Sequence, residues 1–536
     1  MKATVLSAIA LTLAACGGGQ SGGNDDTSGS QEAVTQTSMP DRPFVYAAQQ
    51  NIGTIDPAKG VDETESLSTI NMYDPLYVPE RVGGSMTPIP HLATGYEVSE
   101  DGLTYTFKLR EDVTFHSGNP MTAEDVVYSM NRILDIGEGN AWLWADLFTD
   151  NGVVAEDDYT ISFELTRAYA PFLSTMTQLF VVDSQLLTEN EVDGDLGQAF
   201  LEENDAGSGP YQLGSWNRES EIVFAAYEDY WMGWEDNQIK EIEMKFITEE
   251  ATTKTLLASG QADMSHQYLT PASFEELGDM DGITLVEAPS ANIQEMPMNT
   301  QKAPTDDLNV RKAIATAFDY DVANGQILSG ATQAQGPVPV SVDGHSDNVT
   351  MFNRDVELAK EYLAESSYAG QDISVTLMYL GDIPEQRQYA QLVTANLNEI
   401  GIDVELEPVT WPQVTEAAAN VETTENLTII SDTLKYPHAD SHTYGKYHPS
   451  TYGNYRTMSW LEDDGVVAKL EEARGESEVD KQLALYAEAQ DLITAQAPSI
   501  YVANTTHRIA HRDYVEGYEF VPLLGFNLAF YYLTVN

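Results

Sequence analysis

The segment Glu100–Leu134, EDGLTYTFKLREDVTFHSGNPMTAEDVVYSMNRIL, constrains the fold of this chain more than any other. Tyr105, Phe107 and Leu109 alternate with Thr104, Thr106, Lys108 and Arg110, the period of a half-buried strand. His116-Ser117-Gly118-Asn119-Pro120 is a turn-forming run that interrupts the chain. Thr122 stands three residues before Asp125 and opens a helix through a capping box with Asp in place of Glu. Val126, Met130 and Ile133, flanked by Val127 and Leu134, form its apolar face. DDYTISFELT at 157–166 repeats the strand period, so a small α+β module is expected over residues 77–205.

Beyond Ala303 the pattern is α/β. Val310, Ile314 and Phe318 line one helix face, and Asn353 opens a second helix carrying Val356, Ala359 and Leu363. Ile373–Leu380 reads as a strand, Tyr389–Ile400 as part of a helix stopped by Gly401, and Ile402, Val404 and Leu406 as the next strand. Leu427–Ser431 follows as another. This order predicts parallel pairing with a right-handed crossover.

Further blocks occur in order along the chain: Ile55-Asp56-Pro57, SGPY at Ser208–Tyr211, SGQADM at Ser259–Met264, MNTQKAPTDDLNVRKAIATAFDYD at Met298–Asp321 and YAEAQDLITAQAPSIY at Tyr486–Tyr501. With DGLTYTFKLR, V-x-F-H-x-G and TAEDVVYS, they closely resemble the signature blocks of the family 5 solute-binding proteins of peptide-type ABC importers. The resemblance runs from Phe44 to Asn536. It implies an α/β, bilobal periplasmic-binding-protein-like fold, with an extra small α+β domain and hinged lobes around a central cleft. Residues 42–76, 206–292 and 503–536 then form one discontinuous large domain, 77–205 the small domain and 293–502 the α/β lobe. The chain would cross between lobes near Ser290–Asn299 and Asn504–Arg508, a natural hinge.

The one cysteine, Cys16, excludes an intrachain disulfide. It ends Leu13-Ala14-Ala15-Cys16 after a short apolar run from Ala3, the size of a signal-peptide core and too short to span a bilayer. The ending resembles a bacterial lipobox, so 1–16 reads as a lipoprotein signal peptide and Cys16 as the lipidated residue. Residues 17–41 read as a flexible tether, almost without apolar side chains. An acidic protein, extracytoplasmic and membrane-anchored, is the expectation.

The 85 acidic and 26 basic residues give a net charge of −59. With no basic stripe to neutralise phosphates, nucleic acid is excluded as a partner. The excess fits a high-salt habitat or a solvated surface with no specific role. A G-x-S-x-G match at Gly19–Gly23 lies in the tether, without the strand–turn–helix setting a nucleophile elbow needs. There is no phosphate loop, and no acid–base pair stands out among so many carboxylates. The chain reads as a non-enzyme without cofactor, and as a monomer serving an ABC permease and its ATPase subunits.

The ligand expected from the resemblance is a peptide or similar small polar solute. In peptide-binding relatives a motif similar to aDYPDPDS places an Asp on the ligand's free amine. Here the segment reads Ser431-Asp432-Thr433-Leu434-Lys435-Tyr436-Pro437-His438-Ala439-Asp440-Ser441. Alignment on Tyr436-Pro437 puts Lys435 at that position, whereas alignment on the strand end assigns Asp432. A lysine there opposes a peptide amine and suits a peptide lacking one, an oligosaccharide, or another polar or anionic solute. Trp411 matches a pocket Trp of relatives. Trp142, His266, Gln294, Tyr436, His438 and Asp440 complete the candidate contacts, with Asn299 at the hinge; Trp142 and Trp144, on either side of Leu143, both read more readily as packing than as cleft platforms. His438, Asp440 and His442, with His448 nearby, form an alternative metal set suited to nickel or zinc. A surface sensor lipoprotein is a further alternative of the same architecture.

Overall fold

The strand Phe44–Ala48 is buried along its whole length, since FVYAA offers apolar side chains to both faces of a sheet. It pairs in parallel with Glu241–Phe246, which continues antiparallel to Glu221–Ala226 and then Tyr211–Asn217. Segments distant in the chain thus share one sheet. The computed structural model describes residues 38–81, 86–145, 147–328 and 331–536. Cys16, the leader and nearly all of the tether lie outside them.

The two strands of matching period are Thr104–Leu109 and Thr160–Leu165, direct antiparallel neighbours with Thr104 opposite Glu164. Ala93–Val98 and Phe148–Asp157 complete their four-stranded sheet. Thr122 caps the helix Ala123–Ile136, and the Asp125 carboxylate accepts from the Thr122 N–H at 2.8 Å, closing the box. Val126, Met130 and Ile133 are buried with Phe107, Ile161 and Phe163, so one helix face and one sheet face make the module's core.

In the α/β region, Ile373–Leu380 lies between Ile402–Val409 and Leu427–Thr428 and is parallel to both. The helix Pro384–Glu399 makes the crossover; it ends before Gly401, whose φ of +87° suits glycine. Val310 and Ile314 of Leu308–Ala317 are buried, with Phe318 beside them. The next helix starts later than Asn353 suggests. Asp355 caps Val356–Glu365, accepting from the Glu357 and Leu358 N–H groups at 3.1 and 3.0 Å.

The expected strand Leu427–Ser431 is divided between two sheets. Leu427–Thr428 closes the parallel sheet, whereas Ile430–Thr433 pairs antiparallel with Asn292–Glu295. The pairing changes partner at Ile429, whose side chain is fully buried in the α/β core. Asn292–Glu295 belongs to Ile283–Pro297, which runs antiparallel to Ser499–Arg512 as a long ribbon. Register shifts interrupt the ribbon between Pro289 and Ile293 and between Gln294 and Glu295, and such irregularities bend and twist a strand. Residues 504–508 and 290–297 of the expected crossing segments lie on it.

A buried ion pair ties the small module to the first segment. Arg132, on the module's helix, donates from Nη1 and Nη2 to the two Asp56 oxygens at 2.7 and 2.6 Å, and from Nε to the Leu196 carbonyl at 2.8 Å. Removing one partner of such a pair strands the other charge away from water. Arg132→Met should lower stability by about 3–5 kcal/mol in urea unfolding, whereas a loss below about 1 kcal/mol would mean the pair is solvated.

Candidate ligand-binding site

The strand Ile430–Thr433 sorts its side chains by alternation. Ser431, Thr433 and, just beyond the strand, Lys435 line cavities. Asp432 points the other way and is fully buried. Its Oδ1 accepts from Arg456 Nε at 2.8 Å and its Oδ2 from Arg456 Nη2 at 3.2 Å, with Lys446 Nζ 3.3 Å from Oδ2. Lys446 also pairs with Glu295. Burial pushes the Asp432 carboxyl up, but Arg456, Lys446 and His442 outweigh it and hold it well below the usual range. Asp432 is thus committed to cations of its own lobe.

Lys435 reaches out of that lobe. Its ammonium is buried and donates to the Val61 carbonyl, next to the first turn of the helix Glu63–Met72. Asp62 caps this helix: its Oδ1 accepts from the Glu65 N–H at 2.9 Å, and Glu65 Oε2 accepts from the Val61 and Asp62 N–H groups at 2.8 and 3.2 Å. Trp411 opens the helix Trp411–Ala418 and donates from Nε1 to Asp62 Oδ2 at 3.0 Å. Two side chains of the α/β region therefore bind one helix start of the large sheet region. Burial and the Arg456 charge lower the Lys435 pKa to about 7, against Asp432, Asp62 and Glu65. Burial and the Asp62 charge raise Glu65 to about 7, against the Val61 and Asp62 N–H groups and Lys435.

A cavity of about 380 Å³ is walled by Lys59 and Val61, by Asn140 and Trp142 of the small module, and by Lys435, Tyr455 and Arg456. Tyr455 separates it from a second cavity of about 60 Å³ lined by Asp62, Glu63, Trp411 and Thr433. Glu63 is held there by Gln267 Nε2 at 2.6 Å, Asn527 Nδ2 at 3.2 Å and the Tyr268 hydroxyl. A third, of about 80 Å³, lies by the ribbon and includes Gln294, Glu385 and Arg508. An open groove of about 710 Å³ runs between Glu249–Lys254 and Gly381–Arg387.

The other candidates divide. Trp142 lines the main cavity, tilted against Tyr436 at 6.2 Å between ring centres, and a Cβ on Gly445 would lie 2.7 Å from its indole. Trp144 is core, with Nε1 donating to Thr175 Oγ1 at 3.1 Å. The Tyr436 and Tyr486 hydroxyls both donate to Asp440, whose other neighbour is Arg474 at 3.5 Å. His438 turns to Gln482 at 3.0 Å, while His442 lies 3.8 Å from Asp432. The 3-10 turn Ala439–His442 thus splays the proposed metal ligands apart. Among the described residues no group of three or more His, Cys, Asp or Glu side chains is placed to hold a metal ion. His448 pairs with Glu471 at 3.1 Å. His266 is buried, accepts from the Tyr268 N–H at 3.0 Å and is lowered to about 3 by burial. Gln294 donates to the Ile430 carbonyl at 3.0 Å, and Asn299 to the Val421 and Thr424 carbonyls at 2.9 and 3.1 Å.

Sequence reasoning missed Lys59, Asp62, Tyr455 and Arg456. Asp62-x-x-Glu65 before an apolar run is a readable capping box, but nothing local marks it as a cavity wall. Tyr455 and Arg456 sit in the 3-10 turn Tyr455–Thr457, capped by Asn454 and too short to show a period.

Cavities enclosed between segments of two lobes define a binding protein of the clamp type. The sequence model of the bacterial extracellular solute-binding proteins, family 5 (middle region), matches residues 87–454, more than half the chain. The probable D,D-dipeptide-binding periplasmic protein DdpA of Escherichia coli K12 is 27% identical, covering 92% of this chain and 94% of its own. Heme-binding protein A of Haemophilus influenzae is 28% identical, covering 100% and 99%. The fold matches that of the Helicobacter pylori periplasmic binding protein DppA in complex with peptide STSA, with a TM-score of 0.84, 23% identity, and 92% and 98% covered. The chain belongs to solute-binding family 5. It is an extracytoplasmic solute-binding component of an ABC importer and not an enzyme.

Lys435 carries a pH signature. Between about pH 7 and its free value of 10.5 the folded state holds fewer protons there than the unfolded chain, so this group makes stability rise with pH across that window. The stability of Lys435→Met relative to the wild type should therefore fall as pH rises from about 7 towards 10.5, read by urea unfolding. A difference constant with pH would refute a buried, depressed lysine.

Proposed function

We propose that this chain captures a small polar solute, of the peptide class or similar in size, in the cavity bounded by Lys435, Tyr455, Arg456 and Trp142. The observation that carries this reading is the enclosure of that cavity by chain regions distant in sequence: 59–61, 137–142 and 435–456, with Thr415. The domain division is 42–76 with 206–292 and 503–536, 77–205, and 293–502. The ribbon Ile283–Pro297 with Ser499–Arg512 is the hinge between them, and bound solute shifts the population towards closure. Closure takes solute and walls out of water, so each buried polar group needs a partner. Trp411 and Lys435 latch the closed form onto Asp62 and Val61. His266, Gln294, His438 and Asp440 act through the fold, since each bonds within the protein.

The closed monomer presents a joined two-lobe surface to the permease. Cleavage before Cys16 leaves a lipidated N-terminus on a polar tether, holding the protein at the outer side of the membrane. Cys16→Ala should move it from the membrane fraction to the soluble one; unchanged fractionation would contradict the anchor.

Native mass spectrometry of the protein as purified tests capture, with a released solute of a few hundred daltons expected. Trp411→Phe keeps the ring but loses the bond to Asp62. It should weaken retention of that solute about five- to tenfold, the worth of about 1 kcal/mol. Unaltered retention would remove Trp411 from the closing contact.

A further inference from the structure

The main cavity is cationic in a chain that is overwhelmingly acidic. Its walls include Lys59, Lys435 and Arg456 but one carboxylate, Glu138, in a sequence with 85 acidic and 26 basic residues. Glu138 is largely exposed and lies 3.9 Å from Lys59 at the rim. The two deep cations are Lys435 and Arg456, both buried.

Their donors exceed the acceptors around them. Lys435 has three N–H groups, of which one is taken by the Val61 carbonyl; no other described acceptor receives the rest. Arg456 uses Nε and Nη2 on Asp432 and the Ser441 carbonyl, while Nη1 donates to no described residue. The Tyr455 hydroxyl beside them has no described partner either, and its ring lies 5.8 Å from the Lys435 ammonium. The nearby carboxylates are engaged. Asp432 is held by Arg456, Asp62 by Trp411 and its own helix start, and Glu65 by the Val61 and Asp62 N–H groups. Asp62, Glu65 and Asp432 line none of this cavity.

We infer that Lys435, Arg456 and Tyr455 form an anion-binding subsite that receives a carboxylate or an equivalent anionic group of the captured solute. The assignment rests on the proposed capture in this cavity and names the chemistry of its ligand. A carboxylate supplies lone pairs to the free donors and compensates two buried cations. An ammonium at the same place would be repelled by Arg456, and by Lys435 wherever that residue is charged. Because the empty site lowers the Lys435 pKa to about 7, an anion that restores the charge draws a proton from solvent near neutral pH.

The test is calorimetric titration of the full chain, stripped of solute, with two matched panels. One holds N-acetylated dipeptide acids (a carboxylate, no amine); the other holds the same dipeptides as C-terminal amides (an amine, no carboxylate). The best acid should bind at least about tenfold tighter than the best amide. In buffers of different ionisation enthalpy near pH 8, its binding should take up as much as about one proton. Lys435→Met, checked for folding by its melting curve, should lose both the preference and the uptake. Arg456 is left intact because it also neutralises Asp432. Equal or reversed affinities overturn the subsite, as do no detectable binding of the acids and a preference unchanged in Lys435→Met. Capture itself is judged separately, by the co-purified solute, and stands if that solute is present while the acid preference is absent.

Discussion

A lysine ammonium buried between two lobes is the constraint on which the closed structure turns. Taking such a charge out of water costs several kcal/mol unless other groups replace the lost hydration. Lys435 finds one carbonyl, at Val61, and the field of Asp62 and Glu65 from the opposite lobe. Those groups stand where they do because the helix Glu63–Met72 begins there, with Asp62 and Glu65 capping each other's backbone. The latch is therefore built from a helix start, and Trp411 adds a second bond to the same cap. Closure and the placement of the cavity wall are one event.

The ribbon Ile283–Pro297 with Ser499–Arg512 lets that event be reversible. It joins the two regions through backbone pairing, beside a shared apolar cluster that includes Tyr46 and Tyr447, and its register shifts are places where a strand bends and twists. The strand Ile430–Thr433 adds to the ribbon and carries Lys435 from its end. Motion at the hinge is in this way coupled to the position of a cleft cation. On the far side of the same strand, Asp432, Arg456, Lys446 and Glu295 form a buried charge network. That network fixes Arg456, so the second cavity cation needs no ligand to hold it in place.

Local regularities were legible in the sequence and long-range ones were not. The capping box at Thr122 and Asp125, the strand period around Phe107 and Phe163, and the parallel strands Ile373–Leu380 and Ile402–Val409 follow from spacing, whereas the pairing of the first two strands does not. The strand beginning at Leu427 reads as continuous because its apolar run is continuous, and only the sheets on either side reveal the change of partner at Ile429. The choice between Asp432 and Lys435 depended on which face of a strand each occupies. Alternation places the two on opposite faces once the pairing partner is known. Asp62 meets Trp411 and Lys435 across hundreds of residues, a contact that no periodicity encodes. His438, Asp440 and His442 show the opposite error, closeness in sequence without convergence in space.

The central claim is that two lobes close on a solute around the ribbon. Small-angle X-ray scattering tests it most directly on protein unfolded, dialysed free of bound solute and refolded. The stripped protein should have a larger radius of gyration than the protein as purified, and returning the concentrated dialysate should restore the smaller value. Superimposable profiles in all three states would contradict it, because a body that neither opens without solute nor contracts with it is not a clamp.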